Sequence, residues 1–492
     1  MTKQDLNPEP LVSSGVPGLD EVLQGGFVPL GAYLVEGVPG AGKTTLGLQF
    51  LLEGVRLGEA SLHITLSESK ADLQAAAQSH GWSLDGIAMF ELLDAEREAG
   101  LDEQYTMFHS SEVELGESSR QIVEAVERTG AKRVVIDSIA ELRLMAQNPL
   151  WFRRQLLSMK RFFARKGCTV LLMEEHSEQI RTIAEGVILL EHTAGEYGRD
   201  RRRLRVLKLR KKQYTGGYHD FNLITGGMQV FPRLIAQQHR RDIIQEDISS
   251  GLPEMDKLTG GGIPQGSSTL VMGPSGVGKS SVTNQFIHSF LEKGGKAAAF
   301  LFDEKTRNLL ARTKGLGIDL EPYLQSGALS VQEIDPAELS PGEFAATVQN
   351  EVDRGAGMVL IDSLGGYFYA MPDERYLMLH MHELLSTVGH RGVTTLMVGT
   401  QHGMVGSDVQ SVVDLSYLSD TVILLRYFEA RGEVKKAISV MKKRTGEHDR
   451  KIRELILESG GIRIGEPFRE FQGVLTGHPS FQSGSAGVDE GR

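Results

Sequence analysis

The sequence predicts an α/β fold that is built twice, each copy a mostly parallel sheet flanked by helices. Two observations predict it: short apolar runs alternate with helix-like segments, and one order of signals occurs twice along the chain. Apolar runs without polar interruption are typical of strands that are buried on both faces, as in a parallel sheet. Their alternation with helical segments is the pattern of βα units.

The repeat indicates a duplicated domain. The segment Gly15–Gly26 recurs 236 positions later as Gly251–Gly262, and in each copy a Pro-x-Gly turn and an apolar run follow. A period this long in a chain of 492 residues indicates two domains and not a solenoid. We expect the domains at 1–238 and 239–474, followed by a disordered tail, 475–492, because the tail has no apolar periodicity.

Five apolar runs in each copy are predicted strands. In the first copy they are Ala32–Glu36, Ser61–Thr65, Arg133–Ile136, Thr169–Met173 and Gly186–Leu190. In the second copy they are Thr269–Met272, Ala298–Phe302, Met358–Ile361, Thr394–Val398 and Thr421–Leu425. Helix-like segments such as Thr44–Leu57 and Ser118–Arg128 lie between the runs. The pattern predicts one parallel sheet per copy.

Each copy carries the phosphate-binding motif G-x-x-x-x-G-K-[ST], after an apolar run and before a helical segment, which is the context that this motif requires. Glycines let backbone N–H groups surround the phosphates, and the following helix N-terminus adds positive potential. The lysine bridges the β- and γ-phosphates, and the hydroxyl ligates Mg²⁺. The residues predicted to bind ATP are Gly37, Gly40, Gly42, Lys43, Thr44 and Thr45 in the first copy, and Gly273, Gly276, Gly278, Lys279, Ser280 and Ser281 in the second.

A Mg²⁺ site also needs a carboxylate at the end of a neighbouring strand. The runs that end in Asp137-Ser138 and Asp362-Ser363 supply one in each copy, so Thr44 with Asp137 and Ser280 with Asp362 are the predicted metal ligands. An Asp-Ser pair at a strand end is also common as a turn or helix cap. The pairing with a P-loop in both copies favours the metal site.

ATP hydrolysis needs a further carboxylate that orients the attacking water. Glu68 follows the second predicted strand of the first copy, and the pair Asp303 and Glu304 follows that strand in the second copy. Acidic residues at strand ends are often only solvated surface groups. The same location in both copies favours a catalytic function for Glu68 and Glu304, and Asp303 beside Glu304 is a further catalytic candidate.

Charge and hydropathy limit the partners. The formal net charge of −11 and the pI near 5.8 argue against a general affinity for nucleic acid. The chain has no apolar h-region at its start and no run of about 18 uncharged apolar residues. We therefore expect a cytoplasmic protein without a membrane segment.

The two P-loops, the segment Ile64–Glu68, the pair Asp303-Glu304 and two late basic segments resemble the KaiC family of double-domain RecA-like ATPases. The resemblance covers about residues 11–470. It implies stacked six-membered rings of one chain, with ATP bound at the subunit interfaces. It also implies that late cations reach the γ-phosphate of the neighbouring subunit; these are Lys208, Arg210, Lys442 and Arg444. For Arg201–Arg203 the pattern favours a solvated basic strand.

The sequence departs from the family pattern after the second strand, in the phosphorylated segment and in the C-terminal tail, which shows no amphipathic anchor. The family has a Glu-Glu pair after the second strand, whereas the first copy here has Ser67-Glu68 and the second has Asp303-Glu304. In clock members a Ser-Thr pair in the second domain is phosphorylated; Ser416 fills the serine position here, but Tyr417 replaces the threonine. Two-site cycling is therefore excluded, and single phosphorylation of Ser416 is left open beside an interface role for its hydroxyl.

The leading hypothesis is an ATP-hydrolysing, ring-forming signalling protein with serine/threonine autokinase activity in its second domain and with other signalling proteins as partners. One alternative is a nucleotide-gated scaffold with little turnover, which Ser67 favours. Another is a RecA-like DNA-dependent ATPase, against which the acidic charge and the lack of an aromatic-basic loop count.

Overall fold

The computed structural model describes residues 10–92, 111–146, 148–195, 198–235, 246–369, 376–401, 415–430, 432–468, 471–472 and 480–481. The chain divides into two compact units, Met1–Arg233 and Leu234–Arg492. The predicted boundary between residues 238 and 239 lies outside the described residues and stays a prediction. So does the disordered tail: within 475–492 only Ser480–Phe481 is described, as a short strand paired with Phe471–Gln472.

The first unit contains seven described helices and nine strands. The helices are α1 (Leu19–Val22), α2 (Lys43–Arg56), α3 (Lys70–Ser79), α4 (Ser111–Thr129), α5 (Ala140–Met145), α6 (Pro149–Lys166) and α7 (Glu178–Ile183). The strands are β1 (Ala32–Gly37), β2 (Ser61–Thr65), β3 (Ile87–Glu91), β4 (Arg133–Asp137), β5 (Thr169–Glu174), β6 (Gly186–Thr193), β7 (Arg201–Leu209), β8 (Tyr218–Ile224) and β9 (Gly227–Phe231).

The second unit repeats this series. Its described α-helices are α8 (Pro253–Thr259), α9 (Lys279–Glu292), α10 (Thr306–Gly315), α11 (Glu321–Ser326), α12 (Pro341–Asp353), α13 (Leu364–Tyr369) and α14 (Leu377–His390), and Leu415–Leu418 is a 3₁₀ helix. Its strands are β10 (Asp247–Ile248), β11 (Ile263–Pro264), β12 (Ser268–Gly273), β13 (Ala297–Leu301), β14 (Leu329–Glu333), β15 (Met358–Asp362), β16 (Thr394–Thr400), β17 (Thr421–Ala430), β18 (Glu433–Lys443), β19 (Arg453–Glu458), β20 (Gly461–Pro467), β21 (Phe471–Gln472) and β22 (Ser480–Phe481).

Each unit is built on a nine-stranded sheet with one topology. The order is β3-β2-β4-β5-β1-β6-β7-β8-β9 in the first unit and β14-β13-β15-β16-β12-β17-β18-β19-β20 in the second. The first six strands of each order are parallel, and the last three join antiparallel. The predicted fold class, two mostly parallel sheets flanked by helices, is confirmed.

The parallel strands are buried on both faces, as their apolar sequences predict. Every residue of β1, β2, β4 and β5 is buried, and helices pack on both sides of the sheet. Because these strands are parallel, their carboxyl ends meet at one edge of the sheet. The predicted phosphate loops and carboxylates follow those ends, so the topology brings them together. Among the described helices, none combines the length and the apolar content that a membrane span needs.

Candidate active sites

The first P-loop connects the buried end of β1 to α2. Gly42 has a φ of 102°, a conformation that side-chain-bearing residues rarely adopt. A Cβ on Gly42 would also lie 3.2 Å from Leu223 and Met228. The amine of Lys43 donates hydrogen bonds to the carbonyls of Gly37 (2.6 Å) and Val38 (3.2 Å), so it lies across the mouth of the loop.

The second P-loop has the same shape between β12 and α9. Gly278 has a φ of 115°, and a Cβ there would lie 2.5 Å from a methyl carbon of Leu457. Lys279 donates to the carbonyl of Pro274 at 2.8 Å. Burial lowers the pKa of this lysine, and the nearby Asp362 raises it in part. A buried cation that is satisfied by backbone carbonyls is available to exchange them for phosphate oxygens. Thr45 and Ser281 lie in the first turns of α2 and α9.

The predicted metal ligands of the first unit are in direct contact. The hydroxyl of Thr44 donates to the carboxylate of Asp137 at 2.7 Å, although the two residues are 93 positions apart in the chain. This pair places a hydroxyl oxygen and a carboxylate oxygen side by side at the carboxyl edge of the sheet. Oxygen ligands of this kind fit Mg²⁺, which prefers a few protein oxygens together with substrate phosphates.

The corresponding pair in the second unit also fits a divalent cation. Burial raises the pKa of Asp362, and a hydrogen bond from Ser280 is the largest effect that lowers it. The Oδ2 atom of Asp362 is buried and has no hydrogen-bond partner in the described part of the chain. A buried carboxylate oxygen without a hydrogen-bond partner is energetically unfavourable unless a bound ligand or ion interacts with it. The residues present therefore fit a bound metal ion.

The predicted catalytic carboxylates differ between the units. Glu68 is exposed, and only its backbone is hydrogen-bonded locally, to the hydroxyl of Thr65. Desolvation by the surrounding protein nevertheless raises its pKa, and the charge of Asp137 raises it further. Glu304 forms an ion pair with Arg312 (2.9 Å). Glu68 lies near enough to Asp137, and Glu304 to Asp362, for each aspartate to raise the pKa of its glutamate, and a catalytic function of the two glutamates stays a prediction.

Asp303 has a different environment from Glu304. Its carboxylate accepts a hydrogen bond from the hydroxyl of Ser363, the residue that follows the metal-site aspartate. The Asp303 side chain thus ties the end of β13 to the end of β15. This contact is consistent with a positioning function, and a direct catalytic function of Asp303 stays a prediction.

The late cations of the first unit do not lie at its own P-loop. The last residue of β7, Leu209, pairs with Gly186, which in turn pairs with Tyr33, four residues before Gly37. At about 3.3 Å per strand residue, the end of β7 is about 13 Å from the loop along the sheet. Lys208 and Arg210 instead donate to the carbonyls of residues 181 and 182 at the end of α7 (2.7 and 3.2 Å).

The second unit repeats this placement. Lys442 donates to the carbonyls of Ser416 (2.9 Å) and Ser419 (2.8 Å), and Arg444 pairs with Asp420 (3.0 Å). Thr421, the first residue of β17, pairs with Thr269, four residues before the P-loop strand ends. The half-buried Ser416 and both cations thus lie at the amino edge of their own parallel strands. The two predicted groups of each unit, P-loop and late cations, are at opposite edges of one sheet.

Sequence reasoning missed a buried ion pair directly before the first P-loop. Glu36, the residue before Gly37, is fully buried in β1. Its carboxylate accepts hydrogen bonds from Nε of Arg181 on α7 (2.7 Å) and from the backbone N–H of Ser177 (2.9 Å). The second unit has the apolar Met272 at this place. A charged residue inside a buried run, absent from the other copy, was the available signal.

A second buried carboxylate lies beside the first. Glu174 pairs with Glu36 across β5 and β1, and it too is fully buried. Burial raises the pKa of Glu174, whereas the guanidinium of Arg143 at 3.5 Å lowers it. The first unit therefore holds two carboxylates and two arginines at the carboxyl edge of its sheet, where the second unit has Met272 and Gly399.

The interpretation of Arg201–Arg203 as a solvated basic strand is wrong for Arg202. Its guanidinium donates to the carbonyl of Gly40 in the P-loop at 2.8 Å, and burial lowers its pKa. The antiparallel pairing of β7 with β6 brings the start of β7 back to the phosphate edge. Arg203 stacks on the ring of Tyr218, with its guanidinium carbon 4.9 Å from the ring centre.

Comparison with known proteins gives matches along both units. A family model described as the KaiC ATPase matches residues 12–235 and again residues 248–469. The circadian clock oscillator protein KaiC of Parathermosynechococcus lividus is 27% identical over 491 residues, which is 97% of this chain and 89% of that protein. The circadian clock protein KaiC3 of Synechocystis sp. is 27% identical over 507 residues, 99% of this chain and 97% of that protein. The circadian clock oscillator protein KaiC of Synechococcus elongatus is 27% identical over 484 residues, which is 94% of this chain and 91% of that protein.

Proposed function

The chain belongs to the KaiC family of ATPases, and on that basis we propose that each unit binds one Mg²⁺-ATP and hydrolyses it. The observation that carries this proposal is the contact of Thr44 with Asp137 at the mouth of a complete P-loop. In the second unit Ser280 and Asp362 have the same relation. A Mg²⁺ ion held by Thr44 and Asp137, or by Ser280 and Asp362, would neutralise charge on the β- and γ-phosphates.

The protein side chains supply the remaining functions. Lys43 and Lys279 leave their backbone carbonyls and hold the phosphates, and the loop N–H groups fix the triphosphate in place. Glu68 and Glu304 accept a hydrogen bond from the attacking water and orient it toward the γ-phosphorus. Such positioning and proton acceptance contribute about 10²–10⁴-fold in rate.

Phosphate release from ATP tests this proposal. The wild-type chain is compared with Lys43→Ala and Lys279→Ala, each in Mg²⁺ and in excess chelator. We expect each variant to lose the turnover of its own unit, and both units to stop without Mg²⁺. Turnover that persists in the double variant would contradict the assignment of the P-loops. Nucleotide-dependent assembly without phosphate release would favour the scaffold alternative.

We further propose that the chain assembles into a ring, a hexamer by family resemblance, that acts in signalling. The placement of Lys208, Arg210, Lys442 and Arg444 supports this, because about 13 Å of sheet separates each pair from its own P-loop. In a ring of like copies, cations at that edge can reach the nucleotide of a neighbour and stabilise the charge on its γ-phosphate. Sedimentation with ATP, with ADP and without nucleotide tests the assembly; a monomer in all three conditions would contradict it.

The same geometry supports autophosphorylation between copies. Ser416 is at the edge remote from its own P-loop, so we propose that it receives the phosphoryl group from a neighbour's second unit. Its hydroxyl oxygen bonds to the γ-phosphorus, the bond from that phosphorus to the bridging oxygen breaks, and ADP leaves. The hydroxyl proton passes to the transferred phosphoryl oxygens.

Mixing two inactive variants tests this transfer. Lys279→Ala keeps the acceptor but lacks the donor site, and Ser416→Ala keeps the donor site but lacks the acceptor. With γ-labelled ATP we expect no label at residue 416 in either variant alone, and label on the Lys279→Ala chain in the mixture. Absence of phosphate on Ser416 in the wild type, by mass spectrometry, would refute the autokinase.

A further inference from the structure

The catalytic carboxylate of the second unit is held by an arginine of the same unit. Arg312, at the end of the second turn of α10, places its Nη1 3.0 Å from Oε1 of Glu304 and its Nη2 2.9 Å from Oε2. One hydrogen bond, from Nη1 to Oε1, and a close charge contact at Oε2 therefore hold the carboxylate of Glu304 against one guanidinium. The side chain of Glu304 is 22% exposed and that of Arg312 36%, so solvent screens the pair only in part.

Within the described ranges Glu304 is the only ion-pair partner of Arg312, and neither Nε nor Nη2 of Arg312 makes a hydrogen bond. The charge of Arg312 also lowers the pKa of Asp362, so the guanidinium lies close to the metal site as well. Arg312 is thus fixed chiefly by the carboxylate that the reaction requires.

The first unit lacks this contact. The residue at the position of Arg312 in α3 is Ala76, which is exposed. Glu68, the counterpart of Glu304, has an exposed side chain with no ion pair in the described part of that unit. Each of the two sites has a P-loop and an aspartate at the predicted metal site. They differ in whether an arginine pairs with the proposed catalytic glutamate.

The pairing opposes the chemistry of hydrolysis. In that step a water oxygen bonds to the γ-phosphorus, the bond to the bridging oxygen breaks, and ADP and phosphate result. The water proton passes to the glutamate and then to phosphate. The hydrogen bond from Arg312 takes one lone pair of the Glu304 carboxylate away from water. Burial raises the pKa of Glu304, and the charge of Arg312 lowers it in part, so the guanidinium makes the carboxylate a weaker base than it would be unpaired.

We propose that Arg312 is a positioning residue that restrains Glu304 and slows ATP hydrolysis in the second unit relative to the first. This inference rests on the proposed hydrolytic function of Glu304. The restraint lengthens the time for which the second unit holds ATP. A long-lived ATP complex is what a phosphoryl donor needs, whereas the first unit is free to turn ATP over.

Phosphate release in a Lys43→Ala background, in which only the second unit turns over, tests this inference. We expect Arg312→Ala to raise kcat about fivefold with little change in KM, which corresponds to about 1 kcal/mol for a partly exposed ion pair. Arg312→Lys keeps the charge but not the planar guanidinium, so its rate should lie between those of the wild type and Arg312→Ala. Arg307→Ala, on the exposed start of α10, is the matched control and should leave kcat unchanged.

The reciprocal substitution moves the restraint to the first unit. In a Lys279→Ala background, Ala76→Arg should lower kcat several-fold, while binding of a fluorescent ATP analogue stays constant. If Arg312→Ala leaves kcat unchanged or lowers it, Arg312 does not restrain Glu304 and the proposal is overturned. If Glu304→Gln has no effect on kcat, the hydrolytic function of Glu304 itself fails, and the two failures are thereby distinguished.

Discussion

Removal of the arginine that pairs with Glu36 should destabilise the first unit strongly. Glu36 is fully buried, whereas the side chain of Arg181 is 27% exposed and also pairs with Glu178 at 2.8 Å. The substitution Arg181→Met leaves a buried carboxylate with one hydrogen bond, from Ser177. Breaking a buried pair costs about 3–5 kcal/mol. We reduce this to about 2–3 kcal/mol because solvent reaches the arginine.

The opposite single substitution, Glu36→Met, should lower the free energy of unfolding much less than Arg181→Met does. Glu36→Met installs the residue that the second unit carries as Met272, and it leaves Arg181 with solvent, Glu178 and His176 as partners. The double variant Glu36→Met, Arg181→Met removes both charges, and such replacements are often neutral in stability. We therefore expect the double variant to be more stable than Arg181→Met alone by about 2 kcal/mol.

Urea unfolding followed by tryptophan fluorescence measures these effects in the first unit alone. The two tryptophans of the chain, Trp82 and Trp151, both lie in that unit. The slope of the transition should stay constant while its midpoint shifts. The reasoning would be refuted if Glu36→Met and Arg181→Met lowered the free energy of unfolding equally, or if the loss in the double variant equalled the sum of the two single losses.

Three further predictions concern single side chains. Burial lowers the pKa of His63 to about 4, so the folded first unit stays unprotonated there while the unfolded chain takes up a proton. The free energy of unfolding of the first unit should therefore fall by up to about 3 kcal/mol as pH drops from about 6.5 to about 4. His63→Ala installs the residue that the second unit has at the equivalent position, Ala299, and should remove this loss in urea titrations at several pH values. Asp362→Asn should raise the Mg²⁺ concentration for half-maximal turnover of the second unit at least about tenfold, and an unchanged Mg²⁺ profile would exclude Asp362 from the metal site. Gly278→Ala should weaken ATP binding by the second unit about tenfold in calorimetry, because its φ and the contact with Leu457 both resist a side chain.

The central strands and P-loops were predictable because their signals are local. The predicted run Ser61–Thr65 is β2 as observed, and Ala32–Glu36 differs from β1 by one residue. An apolar run that is buried on both faces needs no long-range information to be recognised. The P-loop likewise carries its strand, turn and helix signals within about a dozen residues.

The edges of the sheets were harder to predict. β3, Ile87–Glu91, is an edge strand in which only Ile87 is buried, so it lacks a continuous apolar run. β6 continues three residues beyond the predicted end, Leu190, because its polar second half pairs with the arginine-rich β7. Pairing with a neighbouring strand, which the local sequence does not show, extends such segments.

The charged contacts around the sites could not be predicted from one sequence. Glu36 and Arg181 are 145 positions apart, and only the fold brings them together. Arg312 and Glu304 are eight positions apart, but their contact depends on where α10 begins after β13. Comparison of the two copies was the usable signal, since Met272 and Ala76 mark the places where the units differ.

The number of ATP molecules bound per chain tests the central claim most directly. Equilibrium binding in Mg²⁺, under conditions that prevent turnover, should give two ATP per chain for the wild type. Lys43→Ala and Lys279→Ala should each give one, and the double variant none. One ATP per wild-type chain, or two in either single variant, would contradict the claim that each unit holds its own complete nucleotide site.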